Sequence, residues 1–338
     1  MKRLISSIIA VAMTAGCFTA CSVNKVAAKT HDSINIVTTI FPEYDWVMNV
    51  LGTNPASADV TLLLDNGVDL HSFQPTADDI LKVSTCDLFV YVGGESDEWV
   101  DNVLKEAENK DMIVINLMDV LGDSVKEEEV VEGMEEEHDH DHDEDHDHDH
   151  EEHEHHHDEI EYDEHVWLSL RNASVLVESI SDAMQKIDAG NAETYKANAA
   201  SYIEKLKALD DEYKTVTEAS SCKTLLFGDR FPFRYMVDDY GLDYYAAFVG
   251  CSAESEASFE TITFLSKKVD ELSLPAVLTI EGKNHRIAET IVENTETKDQ
   301  VILTLDSMQS TTMNDIKNGT TYISVMESNL AVLKEALK

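Results

Sequence analysis

Apolar residues recur along the chain in short continuous runs separated by longer mixed stretches. In the N-terminal half the runs are INIVTTI (Ile34–Ile40), VTLLL (Val60–Leu64), LFVYV (Leu88–Val92) and IVIN (Ile113–Asn116). After residue 220 they return as TLLF (Thr224–Phe227), YAAFV (Tyr245–Val249), AVLTI (Ala276–Ile280) and VILTL (Val301–Leu305). Strands that are apolar throughout, rather than at every second position, belong to parallel sheets covered on both faces. Between the two sets, Tyr195, Ala199, Tyr202, Leu206, Leu209 and Tyr213 fall at spacings of three and four, with neither Gly nor Pro from Asn191 to Val216. That stripe predicts one amphipathic helix about 40 Å long. It ends after about four heptads with strands following at once, so a coiled-coil dimer is not expected and the chain reads as a monomer. The pattern as a whole predicts an α/β protein of two similar lobes, each a four-stranded, mostly parallel sheet flanked by helices. The N-terminal lobe covers 34–189, a linker helix 190–218 and the C-terminal lobe 219–338.

Composition narrows this picture. Of 338 residues, 43% are apolar, which is enough for a substantial core. A formal net charge of -42 would repel a polyanion, so nucleic acid is excluded as a partner and cations are favoured. The charge is concentrated: Glu127 to Glu164 holds 22 of the 67 acids and ten of the 14 histidines. From Lys126 to Asp158 there is no apolar periodicity, and the like charges repel one another, so this segment is expected to be a disordered insertion. The opening MKRLISSIIAVAMTAGCFTAC has the order of an export signal over residues 1–21, with an apolar run too short to span a bilayer. Its end resembles a bacterial lipoprotein signal. Cys21, or alternatively Cys17, would carry the lipid, residues 22–33 would form a tether, and the protein would be held on the extracytoplasmic face of the cell membrane. Cys86, Cys222 and Cys251 remain; Cys222 and Cys251 could form a disulfide, or all three could be unpaired thiols.

The chemistry then divides between a conspicuous tract and a less conspicuous set. Within the tract, His153 to His157 matches the H-E-x-x-H pattern of zinc proteases in letters only, because that mechanism needs a stable helix and a third ligand. The neighbouring Asp and His run lacks the glycine of a calcium loop. His138, His140, His142, His146, His148, His150, His153, His155, His156 and His157 can still gather zinc weakly, as a reservoir. Ordering each residue of such a run around an ion costs about 1–2 kcal/mol, so a preorganised site of equal ligand number binds more tightly. In parallel α/β sheets that site lies beyond the carboxyl ends of the strands. His71, Asp229 and Glu281 fall there, and His165 stands at the exit of the insertion.

The stretches FPEYDWVMNVLG, GVDLHSFQPTADDI, CDLFVYVGGESDEWV, YDEHVWLSLRNA, NAETYKANAASYIEKL, YGLDYYAAFVG and TYISVMESNLAVLKEAL, in this order, resemble the zinc or manganese solute-binding proteins of bacterial ABC importers. The resemblance implies two α/β lobes joined by a rigid helix, a metal site in the cleft and a histidine-rich insertion before the second ligand. Carried over by position, His71 and His165 would be the N-lobe ligands and Glu281 a C-lobe ligand. Where zinc-type members have a further histidine, this chain has Arg230, which cannot ligate a cation. Asp229 is the candidate in its place, with His285 or a tract histidine as substitutes. Asp163 is expected to orient His165 from behind, while Trp46 and Trp167 are expected in the core. The implied function is capture of Zn2+, with Mn2+ as the alternative cargo, and delivery to a permease and its ATPase, without catalysis. A hydrolase with an open zinc position, or a zinc-storage or adhesin lipoprotein, are the other readings.

Overall fold

The computed structural model describes residues 33–53, 58–134, 161–252, 256–282 and 284–338. The export signal, Cys17, Cys21, most of the tether and the histidine tract from His138 to His157 lie outside the described residues. Among the described residues, eight strands form two sheets: β1 (Ile34–Thr38), β2 (Ala58–Leu62), β3 (Leu88–Tyr91) and β4 (Ile113–Asn116), then β5 (Thr224–Phe231), β6 (Asp243–Val249), β7 (Ala276–Ile280) and β8 (Val301–Leu305). Their orders are β2-β1-β3-β4 and β6-β5-β7-β8, and every pairing is parallel. The two lobes therefore share one winding. In each, the connections diverge between the first and third strands, which is where a doubly wound sheet opens a crevice at its carboxyl ends.

The lobes do not have separate cores. The linker helix runs from Ala192 to Ala219 and buries Tyr195, Ala199, Tyr202, Leu206, Leu209 and Tyr213, the stripe read from the sequence. Near one end Tyr202 donates to the Asp45 carboxylate at 3.0 Å, on the first helix of the N-terminal lobe. Near the other, Tyr213 donates to the Met326 carbonyl at 2.5 Å, on the C-terminal helix. That last helix (Tyr322–Ala336) reaches back to the N-terminal lobe, where Tyr322 meets Trp46 edge-on at 5.3 Å between ring centres. Trp46 and Trp167 are fully buried, and the Trp167 indole N–H donates to the Ser307 carbonyl at 2.9 Å. One continuous apolar cluster takes in residues of both lobes and the linker, leaving a smaller one behind β6 and β7. A shared interior of this kind resists opening as two hinged bodies.

Several sequence expectations are corrected. The first residues of the insertion are ordered: Glu127 bridges Tyr162 antiparallel, Glu128 N–H donates to the Glu161 carbonyl at 2.9 Å, and Asp163 N–H donates to the Lys126 carbonyl at 2.9 Å. The reason is that these acids find partners on the C-terminal lobe. Glu129 pairs with Arg234 at 3.2 Å and accepts from the Tyr244 hydroxyl at 3.1 Å, while Lys126 pairs with Asp238 at 2.6 Å. No disulfide joins Cys222 to Cys251. Both are free thiols, and Cys222 donates weakly to the Thr224 carbonyl at 3.4 Å. Finally, β5 does not stop before Asp229; it runs to Phe231 through a register shift between Phe227 and Arg230.

Leu206 is fully buried at the middle of the linker, so Leu206→Ala should lower unfolding stability by about 2–5 kcal/mol and leave a single denaturant transition. Two separated transitions would contradict the shared core. Burial also pushes the Asp45 carboxyl up to about 6, against the lowering effect of Tyr202. The folded protein then holds this proton more tightly than the unfolded chain, so the site's contribution is complete below about pH 4 and is lost as pH rises through about 6. Asp45→Asn, which cannot titrate, should show a smaller fall in Tm between about pH 5 and pH 7.5 than the wild type. Parallel falls would contradict this.

Candidate metal centre

β2 leaves its sheet in a controlled way. Leu63 and Leu64 continue the ladder by donating to the Thr38 and Thr39 carbonyls at 2.9 and 3.0 Å, and the chain then turns at Leu70–Ser72. Asp69 caps this turn, its carboxylate accepting from His71 N–H at 3.1 Å. Leu70 is buried beneath it, which leaves His71 facing the cleft. His71 Nδ1 lies 2.9 Å from the Ser96 hydroxyl and 3.4 Å from a Glu164 carboxylate oxygen. Its Nε2 is thereby aimed at the second imidazole.

His165 arrives from the other side. The pairing of 126–128 with 161–163 ends the insertion, and Asp163 folds back so that one carboxylate oxygen accepts from His165 N–H at 2.8 Å and faces its Nδ1 at 3.0 Å. A carboxylate at Nδ1 fixes the proton there and leaves the Nε2 lone pair for a ligand. Burial alone would reduce the proton affinity of His165, but Asp163 and Glu164 outweigh it and hold its pKa above the ordinary histidine value. The imidazole is fully buried and packs on Gly250, where an added Cβ would lie 3.0 Å from the ring and 2.9 Å from the Phe231 carbonyl oxygen. Glycine is required there by close approach.

The two Nε2 atoms stand 3.2 Å apart. Two nitrogens bound to one tetrahedral zinc at about 2.0–2.1 Å are separated by about 3.3 Å, so the spacing suits a shared ion. Glu164, which the sequence reading did not select, is part of the support. Its carboxylate accepts from Ser96 N–H at 2.8 Å and packs against Gly94, whose φ of +78° and absent Cβ make room for it. Burial works to raise the Glu164 pKa, yet the bonds from His71 and Ser96 hold it below the usual carboxylate value. The only available sequence signal was its place beside His165. Cys251, read above as a disulfide or a free thiol, follows Gly250 at the end of β6. Among the described residues, His71, His165 and Cys251 form the group whose potential ligand atoms all lie within 4.8 Å of one another.

The predicted C-lobe residues occupy the adjoining rim. Glu281 accepts from Ser307 N–H at 2.7 Å, from its hydroxyl at 2.8 Å and from Gln309 N–H at 3.1 Å. Asp229 sits in the β5 irregularity, accepting from Arg230 N–H at 3.0 Å and Ile280 N–H at 3.4 Å, with burial raising its pKa. Both line a cavity of about 380 Å3 with Asp69 and Arg230, outside the His–His–Cys group. Arg230 crosses the cleft to pair with the Asp69 carboxylate, two residues before His71. His285 has a buried Nδ1 without a hydrogen-bond partner and lies near Asp229, also outside that group.

Residues 36–336 match the family model described as the periplasmic zinc-uptake complex component A. The chain is 33% identical over 335 residues to the zinc-binding lipoprotein AdcA of Streptococcus pneumoniae, covering 99% of this chain but only 61% of that protein. It is 30% identical over 306 residues to the high-affinity zinc uptake system protein ZnuA of Bacillus subtilis, covering 90% of this chain and 88% of the relative. The crystal structure of the Zn(II)-bound ZnuA-like domain of Streptococcus pneumoniae AdcA superposes with a TM-score of 0.68 at 30% identity, over 90% of this chain and 99% of that one. The chain spans less than two thirds of the streptococcal lipoprotein's length. On the extent of the family match, the chain belongs to the zinc-uptake complex component A family.

Proposed function

We propose that this protein is an extracytoplasmic carrier that captures one zinc ion at the His71–His165 pair in the cleft and delivers it to the permease of an ABC importer driven by its ATPase. The observation that carries this reading is the 3.2 Å separation of two Nε2 atoms whose Nδ1 atoms face Ser96 and Asp163. Both lone pairs are committed to one point in space before any ion arrives, which reduces the ordering required on binding. Imidazole is a borderline ligand that favours zinc over manganese. Glu128, Asp163 and Glu164 surround the pair with negative charge, which draws a cation in. Glu281 and Asp229 line the adjoining cavity with Asp69 and Arg230, outside the His–His–Cys group.

Names of relatives support the assignment: the streptococcal protein is called zinc-binding and a lipoprotein, and the Bacillus protein a component of zinc uptake. Lipidation at Cys21, or at Cys17, would keep the carrier beside its permease. The histidine tract would raise local zinc concentration, since it is covalently continuous with the stem that ends at His165, five residues past Ile160 in sequence.

Zinc should raise the Tm of the full chain, with a stabilisation of about 2.7 kcal/mol when free zinc is 100 times Kd. His71→Ala should abolish most of that rise. A wild-type Tm indifferent to zinc would end the carrier reading. Deletion of residues 135–160 should lower the number of weakly bound ions but leave one tightly bound ion by calorimetry. Loss of the tight ion on deletion would instead place the binding in the tract, as storage requires.

A further inference from the structure

We infer that Cys251 supplies the third protein ligand to the captured zinc, so that the cleft binds its cargo through two imidazoles and one thiolate. This rests on the carrier reading above and assigns a residue that neither the family resemblance nor the rim carboxylates would have supplied.

Three features of the cleft converge on it. First, the position expected to provide a third histidine is Arg230, and its guanidinium is taken up by the Asp69 carboxylate across the cleft. It cannot coordinate a cation. Second, the rim carboxylates have their own partners: Glu281 holds the 307–310 loop, and Asp229 accepts from its own β-bulge and from β7. Third, the Cys251 sulfur already lies within 4.8 Å of ligand nitrogens of both His71 and His165. In a tetrahedral zinc site with Zn–S of about 2.3 Å and Zn–N of about 2.0–2.1 Å, the sulfur and a nitrogen stand about 3.6 Å apart, so the triangle needs only a local contraction.

The backbone holds the thiol in place from two directions. On one side Gly250 presses against the His165 ring with no room for a side chain. On the other, the Cys251 N–H donates to a Glu128 carboxylate oxygen at 3.2 Å, tying it to the stem of the insertion. Among the described residues the sulfur has no disulfide partner. Because Cys251 is on the C-terminal lobe and both histidines are on the N-terminal lobe, this ligand set would join the two lobes through the ion. Coordination forms a Zn–S bond and breaks the S–H bond, the proton leaving to solvent while water leaves the ion. A soft sulfur ligand also disfavours manganese, which prefers oxygen.

The test uses cobalt(II) in place of zinc on the full chain. A cobalt–thiolate bond gives an intense near-ultraviolet charge-transfer absorption that imidazole and carboxylate ligands do not. The tract, which contains no cysteine, cannot produce it. The wild type and Cys222→Ser should show this band at one equivalent of cobalt, and Cys251→Ser should lack it while binding zinc at least about tenfold more weakly. Cobalt that binds with no such band in the wild type overturns the inference without touching the carrier reading, and needs no variant to fold. Unchanged zinc affinity in Cys251→Ser overturns it as well. A wild type that binds neither metal in the cleft overturns both.

Discussion

The structure depends on a convergence of two nitrogen lone pairs in a buried place. Left alone, two neutral imidazoles with both Nε2 acceptors facing each other at 3.2 Å would repel. The arrangement is stable only if a proton or a cation lies between them, and the partners at each Nδ1 turn both rings toward the shared point that the proposed zinc ion would occupy. Asp163 serves His165 through a loop that closes on itself within two residues. Ser96 and Glu164 serve His71 from a separate turn that Gly94 allows to pack closely. Each side of the pair is therefore fixed by chemistry local to its own segment, and the fold has only to bring the segments together.

It does so with a rigid frame. The turns bearing His71 and Ser96 lie beyond the carboxyl ends of β2 and β3, on either side of the central strand β1. His165 enters where the insertion's stem is pinned against Tyr235, whose hydroxyl donates to the Asp163 carbonyl at 2.7 Å. The linker helix and the C-terminal helix then fuse the two lobes into one interior. With this shared interior, the carrier proposed above would take up its ion by small movements at the rim, where Arg230 pairs with Asp69, and not by a wide swing of the lobes.

Much of this was legible in the sequence because it is written in local patterns. Eight apolar runs gave eight strands, and one stripe from Tyr195 to Tyr213 gave the linker. His71 and His165 were visible from strand ends and family resemblance, and Asp163 from its spacing of two before His165. What was not legible depends on contacts between distant segments. The acids at the start of the insertion read as disordered because their partners, Arg234, Tyr244 and the Cys251 N–H, are more than a hundred residues away. Glu164 was hidden among acids, since only the fold reveals which of them is buried. Cys251 read as a disulfide candidate because sequence cannot say that β6 ends against His165. Asp229 was placed past a strand end because periodicity does not announce a bulge.

The most direct test of the central claim is anomalous scattering at the zinc absorption edge from crystals of the full chain carrying one equivalent of zinc. The account predicts a single strong peak between the Nε2 atoms of His71 and His165. A cleft with no peak, in crystals whose zinc scatters from elsewhere on the molecule, would contradict it.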